Sequence, residues 1–312
     1  MSPLVPSVHS VLFSSVLRME MKSTSVSIPD PDDLVEVKKP TSLLIAQFFL
    51  FPLIIIAICI GIFLLFGYLT YQQTTPQEYL KDIRTGSERS RWQSAYELSN
   101  IISTQKDKLR ETDFVNDLIK TYQGSHDGDP RIRRYLALTM GHLGDTRAIP
   151  ALIEGLNDPD IENQLNDLLA LGSIGDKSAT PTVVQRLGSN DPAIRKMAAF
   201  VLSALKDPAA TRDLQVALND TSDEVRWYAA IALAQVDDAS GTDVLMKLID
   251  HSYLDQLEGF TSDQKSQLLI NAVKCLGILK FQPAKDRILA LSRSDPDLAV
   301  RDASLEALKR FS

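Results

Sequence analysis

Four histidines are the chain's whole supply of imidazole, His9, His126, His142 and His251, and none has a partner at the spacing a metal site needs. Neither cysteine helps: Cys59 lies in an apolar run and Cys275 in a helical pattern, which gives no disulfide framework and no paired thiolates. The chain has no G-x-S-x-G elbow, no phosphate-binding P-loop and no dinucleotide fingerprint. One carboxylate does recur, as Asp145, Asp176, Asp207 and Asp238, always 31 residues apart. A catalytic carboxylate has no reason to appear four times, whereas a turn-forming one does. These residues predict no catalytic site, no metal and no cofactor. The chemistry left is recognition, by Trp, Tyr, Arg and Lys side chains that sit next to one another.

The elements that position those side chains follow from the period. Leu143, Ile174, Leu205 and Val236 keep the 31-residue spacing, as do Leu152, Val183, Leu214 and Leu245, and Leu156, Leu187, Leu218 and Ile249. Ala137, Leu168, Ala199 and Ala230 form another column, and Gly141, Gly172, Ser203 and Ala234 one that is always small. Inside a period, AIPALIEGL places Ile149, Leu152, Ile153 and Leu156 on one helix face. A second helix, as in AIRKMAAFVLSAL, starts after Asn190-Asp191-Pro192, where Asp caps orphan amides and Pro suits the first turn. GD, KD and DD dipeptides then break the run. Each unit is a helical hairpin that cannot cover its own apolar face, so the copies stack into an all-α solenoid. Degenerate copies at RWQSAYELSNI from Arg91 and LLINAVKCLGIL from Leu268 bring the expected number to about seven hairpins between residues 77 and 312. Two insertions break the period, around STQKDKLRETD and QGSHDG, and around HSYLDQLEGFTSDQ. They are expected to be surface loops.

The runs DTSDEVRWYAAIAL (Asp220 to Leu233), DPDLAVRDASLEAL (Asp295 to Leu308) and DGDPRIRRYLAL (Asp127 to Leu138) share D-x-x-x-x-V/I-R followed by an Ala/Leu-rich stretch. In this they resemble the HEAT-repeat family, in particular the bacterial HEAT-like repeats of the phycobilisome-lyase type. The resemblance implies a ladder of hydrogen bonds between neighbouring repeats, from an Asp in the turn and an Arg six residues later. Asp127 with Arg133, Asp220 with Arg226 and Asp295 with Arg301 match it. Two repeats depart, since Asp158 meets Gln164 and Ser189 meets Arg195. The di-iron hydroxylase branch of the family uses His-Glu pairs, and no His here precedes Glu. The resemblance also implies that second helices line a concave face. There the position after the ladder Arg carries Trp92, Arg134, Leu165, Lys196 and Trp227, and the next Gln93, Tyr135, Asn166, Met197 and Tyr228. Trp, Tyr and Arg together are favoured at interface hot spots. Trp92, Arg134, Tyr135, Lys196, Trp227 and Tyr228 are therefore the expected binding residues for a protein partner on the concave face.

Composition agrees with a helical array: 44% hydrophobic but only 7% aromatic. The first 71 residues hold four basic and five acidic side chains of the chain's 33 and 40, leaving 29 and 35 for the rest. A mildly acidic array lacks the basic face that neutralises phosphates, so nucleic acid is not an expected partner. Ahead of it, Leu43 to Thr70 is almost wholly apolar, and no charge occurs between Lys39 and Glu78. As a helix it would extend roughly 42 Å, more than the roughly 30 Å of a bilayer's hydrocarbon. It begins too far in and runs too long for a cleaved signal peptide. The expected organisation is a disordered segment at 1–41, a transmembrane helix at 42–71 and a solenoid at 72–312, with 43–70 in the lipid bilayer. Lys38 and Lys39 precede the apolar run, and the first base after it is Lys81. Positive charge favours the cytoplasmic side, so a single-pass protein of the bacterial inner membrane with its array on the non-cytoplasmic side is expected. Its expected function is a non-catalytic scaffold or adaptor for protein–protein interaction. The alternatives are an accessory subunit of a membrane enzyme or transporter complex, and a lyase-like HEAT protein.

Overall fold

The computed structural model describes residues 46–70, 74–110 and 113–311; the segment expected to be disordered, 1–41, lies outside the described residues. Contacts divide the chain between Gln72 and Gln73 into two units. In the first, a π turn at Ala46–Leu50 runs into helix α1, Phe51–Thr70. Pro52 sits where the winding changes from π to α. A wider turn accommodates the carbonyl that the proline ring displaces. The stretch Phe48–Gly67 is long and apolar enough to cross a membrane, and its large side chains are exposed.

The second unit is built of helical hairpins. Helices α2 (Pro76–Thr85) and α3 (Glu88–Arg110) form the first, α4 (Phe114–Gln123) and α5 (Pro130–Leu143) the second, α6 (Ile149–Gly155) and α7 (Ile161–Ile174) the third. The fourth pairs α8 (Thr180–Arg186) with α9 (Pro192–Leu205), and the fifth α10 (Thr211–Ala217) with α11 (Asp223–Gln235). In the sixth, α12 (Thr242–Leu248) and the short α13 (His251–Asp255) precede α14 (Ser262–Ile278), and α15 (Lys285–Ser294) with α16 (Leu298–Leu308) closes the array. These are seven hairpins, and no described residue is in a strand.

The periodic aspartates begin four of the seven hairpins. Asp145, Asp176, Asp207 and Asp238 each accept, on the side-chain carboxylate, the amide two residues on, at the head of a 3₁₀ turn that leads into the first helix. A second set caps the second helices: Asp160 accepts from the amides of Glu162 and Asn163, Asp191 from that of Ala193, and Asp297 from that of Ala299. Each removes an orphan donor at a helix start. At the other end the chain leaves the helix in the left-handed region, through Gly144 (φ 64°), Gly175 (φ 76°), Lys206 (φ 49°) and Asp237 (φ 62°). These are the first residues of the GD, KD and DD dipeptides, the position where glycine carries no steric penalty.

Second helices pack upon one another in succession, and the always-small column lies where they come closest. A Cβ on Gly141 would stand 2.9 Å from the Cα of Ala170, and one on Gly277 would stand 2.8 Å from the Cβ of Ala307. Ala230 is fully buried against Gly241, in the first turn of the next hairpin. The insertions are not loops alone. STQKDKLR continues α3 to Arg110, and HSYLD folds as α13 before a turn leads to Thr261, which caps α14 with Gln264 in a capping box. The core divides at this point: α11 sends Val225, Ala229 and Leu233 into one cluster and Trp227, Ala230 and Ala234 into the next.

Gly141→Ala is predicted to destabilise the array by about 1–3 kcal/mol, as overpacking at a backbone contact does. Gly188→Ala, whose Cβ would meet its nearest neighbour at 3.5 Å, serves as the control. Thermal melting of the two variants side by side is the check; equal melting temperatures would contradict the close approach.

Candidate functional site

The ladder expected from the turn aspartates exists in part, and where it does, at Arg133 and Arg195, the Arg reaches forward to the next repeat. Arg133 Nε lies 3.0 Å from Asp158 Oδ2, and Arg195 donates to both oxygens of Asp220 at 2.8 Å. The partner is 25 residues ahead because the in-repeat offset of six and this forward offset make up the 31-residue period. Within the repeat the same position ties the turn through the backbone: Gln164 donates to the Asp158 carbonyl at 2.7 Å, Arg195 to that of Ser189 at 2.9 Å and Arg226 to that of Asp220 at 2.6 Å. The expected pairing of Asp127 with Arg133 is replaced, since Asp127 is exposed and Arg133 faces Asp158. Arg226 pairs with Asp223 on its own helix. Asp295 accepts from His251 Nε2 at 2.7 Å, and the Nε of Arg301 is buried with no hydrogen-bond partner. The carboxylate rung is missing between Gln164 and Ser189, where neither side chain carries a charge.

Beside the first rung lies a buried polar chain. Arg133 donates to the Tyr122 hydroxyl at 3.0 Å, and that hydroxyl donates to Asp167 Oδ1 at 2.6 Å. The guanidinium carbon also stands 4.1 Å from the centre of the Tyr122 ring, within range of a cation–π contact. Burial pushes the Asp167 carboxyl up to about 7 and raises the Tyr122 phenol as well. The other oxygen, Asp167 Oδ2, is buried without a hydrogen-bond partner, against Gly155, where an added Cβ would come within 2.3 Å of it. The group is closed off within the α5–α7 joint and works as a structural clamp.

The column after the ladder Arg proves to be a second set of ties between repeats. Arg134 donates to Asp160 at 2.9 Å and to Asn163 at 3.2 Å, and Lys196 to Glu224 at 3.0 Å. Trp92 lies half-buried with the Arg131 guanidinium 4.4 Å above its ring. Trp227, expected to project as a binding residue, is only 2% exposed. Its Nε1 donates to the Tyr253 hydroxyl at 3.2 Å, and its ring meets Phe260 edge-on at 5.6 Å. The reason is geometric: one position past the ladder Arg, a side chain points along the stack toward the next helix start. Trp227 therefore fills the joint.

The next column behaves differently. Tyr135 and Tyr228 are half-buried on the second helices, and each is met edge-on by an aromatic of the preceding repeat: Tyr96 at 5.4 Å and Phe200 at 5.5 Å. Tyr96 and Phe200 are 42% and 39% exposed, and among the described residues of the array no other aromatic side chain is exposed. Both occupy the position that elsewhere holds Leu169 and Ile231, one helical turn beyond the Tyr column. Neither was among the expected binding residues. The signal lay in the i+3 neighbour of that column, which shares its face.

Asp167 supplies a pH test. Below the unfolded value the carboxyl is protonated in both states; from there to about 7 only the folded chain keeps the proton, so its contribution to stability is lost as pH rises through that window. Between pH 5 and 8 the wild type should therefore lose more stability than Asp167→Asn, whose side chain stays neutral and still accepts from Tyr122. Parallel slopes in thermal melts across that range would contradict the assignment.

A family model of HEAT repeats matches the chain in three overlapping windows, residues 115–191, 149–224 and 180–256. Among solved structures, the complex of CpcE and CpcF of phycocyanin lyase from Nostoc sp. PCC7120 contains a chain similar at a TM-score of 0.53 and 20% identity, over 77% of this chain and 88% of that one. A designed armadillo repeat protein in complex with the peptide (KR)4 aligns at a TM-score of 0.43 and 16% identity, over 76% and 99% of the two chains. Human deoxyhypusine hydroxylase aligns at 0.31 and 14%, over 76% and 95%. No curated protein matches the chain in sequence. At such identities the structural likeness speaks of fold. Residues 115–256 thus match the HEAT-repeat model, and the described residues of the array form an all-helical repeat solenoid that resembles HEAT proteins.

Proposed function

We propose that the chain is a membrane-anchored scaffold, without a reaction of its own, that holds a protein partner along the ridge of its second helices. The observation that carries the reading is the exposure of Tyr96 and Phe200. Every other aromatic in the described array is at least half-buried in a joint or the core, while these two stand on the same ridge, each backed by a tyrosine of the next repeat. Aromatic side chains left in water lose the burial that a partner would supply, and flat amphipathic rings are favoured hot-spot residues. A stack clamped by ion pairs presents them at fixed spacing, so little ordering cost falls on binding. The apolar run at 43–70 supplies the anchor in this reading, and the lysines ahead of it favour an array on the non-cytoplasmic side.

The test uses the full chain, solubilised in detergent from its own membrane. Chains that co-purify with the wild type should be lost from Tyr96→Ala/Phe200→Ala, with a drop in affinity of about 2 kcal/mol or more as for hot-spot truncations. The double variant should stay folded with only a small drop in melting temperature, since both side chains are partly exposed and each gives up a single ring contact. Full retention of every co-purifying chain would contradict the ridge assignment and favour contacts made by the apolar helix. In intact spheroplasts, added protease should remove the array; protection would reverse its side.

A further inference from the structure

The second helices run side by side up to α11, and there the stack opens. Helix α14 lies against α11 over a shorter stretch than α11 lies against α9, and the hydrophobic core is split between the same two elements. The insertion lies at this point: Tyr253 from α13 and Phe260 from the turn before α14 pack edge-on against Trp227. The opening is a cavity of about 260 Å³ whose walls include Lys196, Glu224 and Tyr228 from the second helices α9 and α11, Phe260 from the turn before α14, and Gln264, Gln267 and Asn271 from α14. A second hollow of about 210 Å³, next to it along the ridge, shares Tyr228 and Asn271 and is bounded by Phe200. The cleft thus continues the exposed aromatic ridge.

Its chemistry narrows the occupant. Lys196 Nζ lies 3.0 and 3.3 Å from the two oxygens of Glu224, so the cavity's two charges neutralise each other. A charged side chain entering would give up water and find no free opposite charge, whereas an apolar one gains by its burial. The volume falls below the roughly 300–1,000 Å³ of sites for drug-sized molecules, and suits one bulky side chain. The amides on α14 are committed in part only. Gln264 Oε1 accepts from the Thr261 amide at 2.9 Å, which leaves the Gln264 amide hydrogens; Gln267 Nε2 donates to Asn271 Oδ1 at 3.0 Å, which leaves Gln267 Oε1 and Asn271 Nδ2. Positions 264, 267 and 271 share one helix face. They offer donor, acceptor and donor in turn, the complement of a peptide main chain.

We infer that this cleft binds an extended peptide segment of the partner protein, seating one bulky apolar side chain against Tyr228 and Phe260 while the flanking peptide groups bond to Gln264, Gln267 and Asn271. This rests on the scaffold reading and adds to it a defined subsite with a preference for uncharged, apolar anchors.

The chain's two tryptophans, Trp92 and Trp227, make the test direct. Full-length protein in detergent micelles, labelled with 5-fluorotryptophan, is titrated with blocked single residues: the N-acetyl amides of phenylalanine, leucine, arginine and glutamate. The phenylalanine and leucine amides should shift the Trp227 fluorine resonance saturably and leave Trp92 unmoved. Asn271→Ala should weaken their binding about tenfold, with the Trp92 resonance and melting temperature unchanged. The inference is overturned by no saturable shift, by equal binding of the arginine or glutamate amide, by movement of both tryptophans together, or by unaltered binding to Asn271→Ala. Failure here with the co-purifying partner still lost from the Tyr96/Phe200 variant would remove the subsite and leave the ridge; loss of neither would remove both.

Discussion

A short helical hairpin has one apolar face and nothing of its own to lay over it, and the rest of this molecule follows from that shortage. Each hairpin is completed by the next, so the contact that matters most is the crossing of successive second helices. That crossing is tight enough at Gly141 and Gly277 for an added methyl carbon to fall inside 3.0 Å of the neighbouring helix. Small side chains recur at this column because the helices cannot otherwise come close enough to exclude water. Dispersion and burial then act over the whole joint.

Ionic ties follow the same logic. Arg133 with Asp158 and Arg195 with Asp220 run from one repeat to the next, and Arg134 with Asp160 and Lys196 with Glu224 form a parallel row. Pairs that are partly or wholly desolvated contribute little net stability when compared with apolar replacements, but a mispaired stack would strand a charge. They therefore favour one register among many similar repeats. The Arg133–Tyr122–Asp167 chain carries this furthest, with a carboxyl whose burial raises its proton affinity toward neutral pH. Where the row meets the insertion, His251 takes the place of an arginine opposite Asp295, and tyrosine and phenylalanine from the inserted segment take over the packing.

The architecture was legible because its causes are local and repeated. The turn aspartates, the dipeptides that leave the helix left-handed and the small column each act within a few residues, and recur every 31. The site was legible only in part. The columns around Tyr135 and Tyr228 could be placed on the second helices, yet Trp227 could not be told from an exposed ring, because its burial depends on Tyr253 and Phe260 from a segment outside the period. Ladder partners were sought six residues apart, whereas the carboxylates that Arg133 and Arg195 meet belong to the next copy. Tyr96 and Phe200 went unnoticed because most repeats put an aliphatic residue there. In each case the missing information was an inter-repeat contact that a single repeat does not encode.

The central claim is that recognition runs along the second helices and through the opening between α11 and α14. Hydrogen exchange on the full chain, with and without the partner that co-purifies with it, tests this most directly. Added protection should appear in α3, α9, α11 and the first half of α14, while the first helices α8, α10 and α12 exchange as before. Protection confined to those first helices, or to the apolar helix α1, would contradict it.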